Sequence, residues 1–536
     1  MPNFSYILLI ILIFFIPLAF AGTEPWAFLI LQTGIFIVLL KLLIKKSSYA
    51  FTRPAIVISA IFIVLITVSV IQTLNYHSIL ERGQLFPFSV CPFFTLQELM
   101  MFVVYFALFF IITQYFESSE KQNKILLFII LSSLIIAIIG TSFPNGEYVR
   151  FFLDNNINFA FGSFVNRNNA GSFLSVSFFT ALAFILPKFL GHKNFKHILL
   201  VILCLLLLLS IIFTRSRGAM LGTFISLFVF LFLTGWFLSK NIKVRIIKLL
   251  IVCLLFLISS LCLYGNIDAI NKFTNRHTGD FSEQARISLY KAGFGILKDF
   301  PATGVGIGAF SVTVNRYLNM EIKQYPKRLH SDWLELLVGI GYPTGILFFL
   351  MVLITAFLFL KKIKTLDTAK KIKFISLLCA VLSMSVSCTV DFHLHIPTNA
   401  MLFFITLGLL SSSTFYKYEV KYYKLPVIIK IIFCLLFIVT VYFSVKDTIA
   451  WRATVFAKKL SLENKITSYE RAIGLSDNPR YAYSLGLFYC EAVRSNLFTN
   501  EKKQEYLEKV NELTVSNLKK YPFNKDFSYL YGLLNG

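Results

Sequence analysis

Residues 198–238 read ILLVILCLLLLLSIIFTRSRGAMLGTFISLFVFLFLTGWFL, two apolar runs joined by a short polar group. The runs at 198–213 and 218–238 are long enough to cross the roughly 30 Å hydrocarbon core of a bilayer. A pair of membrane-spanning helices with almost no loop between them is therefore predicted here.

The rest of the chain has the same apolar character. Of its 536 residues, 57% are hydrophobic and only 15% are charged, which is too apolar for one or several soluble domains. An integral membrane protein is therefore predicted. The first apolar run, at 4–20, has no basic segment before it, so we expect a retained span and no signal peptide.

Thirteen apolar runs in the sequence are long enough to span a membrane. They lie near 4–20, 26–44, 54–74, 99–116, 125–142, 169–187, 198–213, 218–238, 247–264, 334–360, 372–390, 396–413 and 425–445. The predicted fold class is all-α, a polytopic bundle of about 12–13 spans with a large outer loop and a C-terminal helical tail.

Basic residues indicate how the spans are oriented. The chain carries 51 Lys and Arg against 27 Asp and Glu, an excess that nucleic acid, anionic lipid or membrane topology would each explain. Much of this excess lies in alternate connections, at 41–53, 188–196, 240–248, 361–373 and 417–424. By the positive-inside rule these connections face the cytoplasm, as does the N-terminus, while the loop at 265–333 and the tail lie outside. We see no aromatic-basic module for nucleic acid, and none is predicted as a partner.

From about residue 447 the composition becomes that of a soluble helical region, so we divide the chain into a membrane core at 1–446 and a helical domain at 447–536. A similar order of residues recurs in the tail, where Gly486 and Gly532 are 46 positions apart. The pattern resembles tetratricopeptide helical pairs, whose period is about 34 residues. A docking module and a plain helical cap both remain open, since two repeats bury little core.

Polar residues at the outer ends of spans are informative, because an ionisable group at bilayer depth costs about 2.5–3.5 kcal/mol. One string, GSFVNRNNAG at 162–171, runs directly into a span and supplies the candidates Asn166, Arg167 and Asn168. Helix capping explains the same string, since Asn and Ser favour the N-cap position.

A second cluster, TRSRG at 214–218, lies between two spans with almost no loop. Its residues Arg215 and Arg217 stand at an outer end, where they oppose the positive-inside bias. A functional role is therefore favoured over snorkelling of these side chains to the interface.

The long outer loop holds a third cluster. Its glycine string at 304–308 superficially resembles a nucleotide loop, but no strand-to-helix context surrounds it, and we reject that interpretation. Arg286 precedes the string, and Asp332 and Glu335 follow His330 into a span. His330 lies at a membrane boundary, where a neutral imidazole accepts a proton near about pH 7. A structural role for this histidine is equally open.

The fourth cluster, at 391–399, contains Asp391, His393 and His395 at every second position. Such residues on one side of an extended segment are able to bind a metal ion. No other residue of the outer face has a spacing that completes the site, so no metal is expected.

Taken in order, these motifs resemble the O-antigen ligase and Wzy-type polymerase superfamily. The resemblance covers about residues 15–415, and its specificity comes from the order and outward placement of the motifs. The segments that carry it are 22–26, 162–171, 215–218, 286–306, 330–335, 339–345 and 391–397. It implies a polytopic glycosyltransferase that uses an undecaprenyl-diphosphate-linked glycan at the periplasmic face of the bacterial inner membrane.

The resemblance also implies roles for the candidate residues. A lipid diphosphate gains negative charge as it leaves, so bidentate donors suit it, and we assign Arg215, Arg217 and Arg286 to the donor. His330 is assigned as the base that deprotonates the acceptor hydroxyl, with inversion at the anomeric carbon. No metal or cofactor is expected, because the outer loops carry no D-x-D motif and arginines take the place of a metal. The supporting residues are Asn166, Arg167, Asn168, Asp332, Glu335, Asp391 and His393.

The acceptor remains open among the lipid A core, a growing glycan and a protein hydroxyl. These alternatives distinguish a ligase from a Wzy-type polymerase and from a protein O-oligosaccharyltransferase. A lipid-glycan flippase also needs many spans, but it is expected to hold cations at mid-span, and here the polar groups gather at one face. A peptidoglycan polymerase of the shape-and-division family has comparable spans, but we see no match to its motifs.

Overall fold

The computed structural model describes residues 4–75, 86–143, 146–153, 160–189, 195–238, 283–318, 326–521 and 525–535. Within these ranges the regular structure is almost entirely helical. Their only sheet is an antiparallel pair of short strands, β1 (Tyr49–Phe51) and β2 (Lys421–Tyr423). The predicted all-α class is confirmed.

The helices that precede the large loop are α1 (Phe4–Leu18), α2 (Pro25–Lys45), α3 (Arg53–Leu74), α4 (Pro92–Tyr115), α5 (Ser119–Ser142), α6 (Glu147–Leu153), α7 (Arg167–Phe189), α8 (Phe195–Phe213) and α9 (Arg217–Leu238). The loop contains α10 (Glu283–Asp299) and α11 (Phe310–Thr313). The helices that follow are α12 (Asp332–Ile363), α13 (Thr368–Ser387), α14 (Pro397–Leu410), α15 (Val427–Ala457), α16 (Leu462–Leu475), α17 (Pro479–Arg494), α18 (Asn500–Lys520) and α19 (Lys525–Asn535).

Local sequence explains where many of these helices begin. At the starts of α3, α5, α12 and α13, a side-chain oxygen accepts a hydrogen bond from a backbone N–H of the first turn. These caps are Thr52, Ser118, Ser331 and Asp367. Helices α2, α4 and α14 begin with a proline, which lacks an N–H at a position where the helix offers no partner for one.

The membrane-spanning part of the fold agrees with the apolar runs. In the described ranges, eight helices are long and apolar enough to cross a membrane, namely α2, α3, α4, α5, α7, α9, α12 and α15. Shorter apolar helices accompany them at Phe4–Leu18, Ile202–Phe213 and Pro397–Leu410. Each predicted span coincides with a helix except 247–264, which lies outside the described residues. The protein is a multi-pass helical bundle.

Helix α7 lies at the centre of this bundle. Its residues 169–181 are all buried, and α5, α8, α9 and α13 pack against it. Small residues permit close approach, and a Cβ on Gly222 of α9 would collide with the carbonyl oxygen of Ser383 in α13. This packing brings the N-terminal end of α7 next to the turn before α9 and the loop after α13.

Helix α12 is broken at Gly341, whose φ of 73° and ψ of 175° are not helical. Pro343 has no N–H to donate to the Gly339 carbonyl, which accepts instead from the Gly306 N–H at 3.2 Å and the Gln72 side chain at 2.7 Å. The glycine string of the outer loop therefore packs against the broken helix. Such a role agrees with the rejection of a nucleotide loop.

The C-terminal tail comprises α16 to α19. Helix α15 continues without a break across residue 447, so the predicted division of the chain falls inside this helix. Apolar side chains of the tail and of the outer loop form one core, which includes Leu485 and Phe310. Arg480 of the tail lies over the ring of Phe94 in α4, 5.3 Å from its centre. The tail is helical, while its likeness to tetratricopeptide repeats stays a prediction.

Candidate functional site

His330 and Asp391 lie at the centre of the candidate site. The loop before α12 carries His330, the loop after α13 carries Asp391, and His330 Nδ1 is 3.1 Å from Asp391 Oδ1. When the carboxylate accepts a hydrogen bond from Nδ1–H, Nε2 is the ring nitrogen that accepts a proton. The cap of α12 is Ser331 and not His330, because the Ser331 hydroxyl accepts from the Leu334 N–H.

Two of the candidate residues have a strained backbone. His330 has a φ of 59° and Arg215 a φ of 55°, in the left-handed region that side chains other than glycine rarely adopt. Such strain costs about 1–3 kcal/mol, persists only where the surroundings hold it, and clusters at functional sites. The Tyr290 hydroxyl helps to hold the backbone of His330 in this conformation, because it donates a hydrogen bond to the His330 carbonyl at 2.9 Å.

Side chains from two other elements converge on Asp391. Arg286 of α10 lies 3.8 Å from Asp391 Oδ2, and the Asn168 amide donates to the same oxygen at 2.8 Å. Burial alone raises the pKa of Asp391, but the hydrogen bond from His330 and the neighbouring positive charges outweigh burial and hold this pKa below its usual value. Asp391 is therefore ionised at neutral pH.

Asp332, the first residue of α12, fixes the loop from which Asp391 projects. Its Oδ2 accepts from the backbone N–H groups of His393 and Leu394 at 2.7 and 3.0 Å. Its Oδ1 is 2.7 Å from His395 Nδ1. Two sets of hydrogen bonds therefore connect the start of α12 to the loop after α13. Asp332 accepts from the backbone of that loop, and Asp391 of that loop pairs with His330.

His393 supports the site from inside the bundle. Its Nδ1 is 2.8 Å from the Asn169 Oδ1, and the Asn399 side chain donates to the Asn169 carbonyl at 3.1 Å. Burial lowers the pKa of His393, which favours the neutral imidazole. Asn169 of α7 therefore contacts both the loop after α13 and the start of α14.

The polar string at 162–171 has two roles in the structure. Asn166 caps α7 by accepting from the Asn168 N–H at 2.8 Å, so the capping interpretation is correct for Asn166. Arg167 is the first residue of α7. Asn168 also reaches Asp391, and it therefore ties the N-terminal end of α7 to the candidate site.

The TRSRG segment lies against the same loop. Arg215 is in the turn before α9, Arg217 is the first residue of α9, and both side chains are exposed. A Cβ on Gly218 would touch the side chain of Val390, whose carbonyl accepts from Arg286 at 3.3 Å. The segment that carries the two arginines therefore borders the residue that precedes Asp391.

Glu335 belongs to a buried group of charges that our sequence analysis missed. Arg328 Nη1 is 2.9 Å from Glu98 Oε1 and 3.0 Å from Glu335 Oε1. His395 Nε2 is 3.4 Å from Glu98 and 3.6 Å from Glu335. Burial lowers the pKa of His395, but the surrounding carboxylates outweigh burial and raise it overall. The signal available in the sequence was an ionisable residue, Glu98, at the edge of an apolar run.

An apolar cavity of about 460 Å³ adjoins these charges. Helices α3, α4, α12, α13 and α14 line it, with many aromatic side chains. Its charged lining residues are Glu98, Asp332, Glu335 and His395, which all lie at one end of the bundle. The cavity is therefore lined by apolar side chains, and its ionisable lining residues lie at the end that is close to the His330 loop.

Within the part of the chain that the structure describes, no group of three or more His, Cys, Asp or Glu side chains is arranged to hold a metal ion. Asp391, His393 and His395 alternate in the sequence, but each side chain bonds to a different partner. They do not converge on one point. Independence from a metal stays a prediction.

A family model described as O-antigen ligase matches residues 202–349. The resemblance to the O-antigen ligase and Wzy superfamily is confirmed. The O-antigen ligase match includes Arg215, Arg217, Arg286 and His330, while Asp391 lies beyond it. No curated protein matches the chain. Over this segment the chain is similar to O-antigen ligases, and the apolar helices support a multi-pass membrane protein.

Proposed function

We propose that this protein is a glycosyltransferase that moves a glycan from an undecaprenyl-diphosphate donor to an acceptor hydroxyl, at the periplasmic face of the bacterial inner membrane. The observation that carries the proposal is the pairing of His330 with Asp391 beside Arg286. His330 and Arg286 both lie inside the O-antigen ligase match. A ligase is the first candidate, and a Wzy-type polymerase or a protein O-oligosaccharyltransferase would apply the same chemistry to another acceptor.

His330 acts as the general base. Ionised Asp391 accepts the Nδ1–H, so Nε2 takes the proton of the acceptor hydroxyl as its oxygen attacks the anomeric carbon. The bond from that carbon to the diphosphate oxygen breaks, and its electron pair leaves with the diphosphate. Attack opposite the leaving group inverts the anomeric carbon. Asp391 orients the ring and stabilises the imidazolium that forms.

Arginines neutralise the leaving diphosphate, and no metal is needed for that step. Among the described atoms, the buried Nε of Arg286 has no hydrogen-bond acceptor, and a phosphate oxygen would supply one. Arg215 and Arg217 are exposed on the segment next to Val390 and complete the positive surface. Guanidinium groups suit this task because their planar fork engages two oxygens at once.

The apolar cavity supports a lipid-linked donor. Its aromatic and aliphatic side chains are suited to an isoprenoid chain, whose removal from water near the membrane surface lowers the free energy.

A flippase is disfavoured, because the charged residues that line the cavity are confined to one end, whereas a translocation path needs polar groups at mid-span.

We further propose that the N-terminus is cytoplasmic and that the loop at 265–333 and the tail are periplasmic. The shared apolar core of the tail and the described part of the loop supports their placement on the same side. The membrane core then covers 1–446 and the tetratricopeptide-like domain 447–536. This domain acts as a docking module or as a cap over the loop.

The surface glycans of a deletion strain test the proposal. A ligase predicts loss of polymer from lipid A while lipid-linked chains remain. Single repeat units would indicate a polymerase, and unmodified glycoproteins would indicate a protein transferase. Unchanged glycans on lipid, polymer and protein would contradict all three activities.

A further inference from the structure

Arg328 stands two residues before His330 and has no part in the chemistry above. Its guanidinium pairs with carboxylates from two helices, Glu98 of α4 and Glu335 of α12, at 2.9 and 3.0 Å. The side chains of Glu98 and Glu335 are only 6% and 3% exposed. Both bonds are donated by the same nitrogen, Nη1, which carries two hydrogens.

Glu335 also holds the residue between Arg328 and His330. Its Oε2 accepts from the Leu329 N–H at 2.8 Å, so one carboxylate fixes both residues that precede His330. On the other side of His330, the cap at Ser331 starts α12. The backbone is therefore restrained on both sides of the strained histidine, whose φ is 59°.

Burying two carboxylates against an apolar cavity is unfavourable unless they are paired, and apolar side chains would fill the same space at no loss of stability. Stability alone therefore does not explain this group of charges. The pairing of Arg328 with Glu98 and Glu335 connects the loop that carries His330 to both α4 and α12.

We propose that Arg328 is a positioning residue, which acts through Glu98 and Glu335 to hold His330 in the left-handed conformation where its Nδ1 meets Asp391. The proposal rests on the base role of His330. Arg328 does not touch the substrate. Without it, His330 relaxes to an ordinary φ and loses its alignment with Asp391.

The first test is Arg328→Met in a reconstituted transfer assay with a defined lipid-linked donor. We expect kcat to fall by roughly 10²-fold, the size of effect that a misplaced catalytic group produces, with the KM for the donor unchanged. Arg328→Lys keeps the charge and its hydrogen-bond donors but not the planar guanidinium group, and should recover only part of kcat. The matched control is Lys362→Met, which removes an ion pair with Glu419 at the other end of α12 and should leave kcat unchanged.

The second test measures His330 without relying on activity. Diethyl pyrocarbonate modifies accessible imidazoles, and peptide mass spectrometry gives the rate at His330. The modification rate at His330 should rise several-fold in Arg328→Met, because the imidazole is then no longer held against Asp391. It should match the wild-type rate in Lys362→Met. An unchanged rate at His330, or a loss confined to KM, would overturn the positioning role.

A third variant covers the case in which Arg328→Met fails to fold because two carboxylates lose their partner. Glu98→Gln, Arg328→Met and Glu335→Gln combined remove the arginine and both carboxylates together, and His395 keeps Asp332 as its charged partner. This variant should accumulate normally and show the same loss of kcat, whereas a normal kcat would overturn the proposal. Full activity of His330→Ala would refute the base role instead, and the labelling result would still report on positioning.

Discussion

His330 is held by contacts to its backbone and to its ring, from Tyr290 at its carbonyl and from Asp391 at Nδ1. Two roles are compatible with these contacts. A base needs Nε2 to accept a proton, whereas a positioning group needs only a hydrogen bond to the substrate. Substitutions that keep hydrogen bonding but remove basicity distinguish the two roles.

We expect His330→Ala to lower kcat by about 10²–10⁴-fold while donor binding is largely retained, which is the usual contribution of a general base. His330→Gln and His330→Asn should fail to restore the rate. The measurement is a purified transfer assay with a defined lipid-linked donor. A nearly active Gln variant would assign His330 to positioning.

Arg286 and Arg217 are expected to need the arginine fork and not merely its charge. Arg286→Lys and Arg217→Lys should lose activity by about 10- to 100-fold, because a bidentate contact to diphosphate becomes a single donor. Membrane insertion and accumulation should be normal. The matched control is Arg53→Lys in α3, an exposed arginine in a predicted cytoplasmic connection. If both site variants match this control, neither arginine belongs to the donor site.

The break in α12 shows how one element depends on another. The carbonyls freed by Gly341 and Pro343 accept hydrogen bonds from the glycine string, so the loop and the helix are folded against each other. Gly304 has a φ of 66°, and a Cβ there would overlap the carbonyl oxygen of Val338. The contact therefore requires glycine on the loop.

Gly304→Ala should destabilise the protein by about 1–2 kcal/mol from the left-handed backbone alone, with a further penalty from the collision. We expect a lower thermal unfolding midpoint in detergent. Gly474→Ala is the matched control, since nothing lies within 4 Å of the added Cβ and alanine is the better helix former. A Gly304→Ala midpoint equal to that of wild type would show that the loop does not pack as described.

Among the described residues, two of the three apolar cores are large. One is the membrane bundle, and the other joins the tail to the outer loop and the start of α4. The second core joins the tail to the loop that carries His330, and Arg480 of the tail stacks on Phe94, one turn from Glu98.

The orientation of the chain is tested by cysteine accessibility in intact cells. Cysteines introduced at Lys298 and Glu501, both exposed, should react with an impermeant reagent from outside. A cysteine at Lys364 should react only after the cytoplasmic side is opened, since the basic connection at 361–373 faces inward. Labelling of the tail from the cytoplasm would show that the number of spans is miscounted.

Sequence alone determined the bundle and most of its span positions, because a run of apolar residues reports membrane insertion locally, without knowledge of its neighbours. It also singled out His330 and Asp391 as candidates, because ionisable residues at the ends of apolar runs are costly and few. Arg286 was a candidate from the long outer loop, and the roles of all three residues stay predictions. The proline two positions after Gly341 is a sequence signal of the helix break.

Only the tertiary structure decided which of these residues meet. His330 and Asp391 are 61 positions apart, and Arg328 and Glu98 are 230 apart. Their pairing depends on how α4, α12 and α13 pack, which in turn depends on close contacts at small residues and on the loop that covers the broken helix. Apolar runs specify helices one at a time, whereas side-chain contacts between them are set by the packing of the whole bundle.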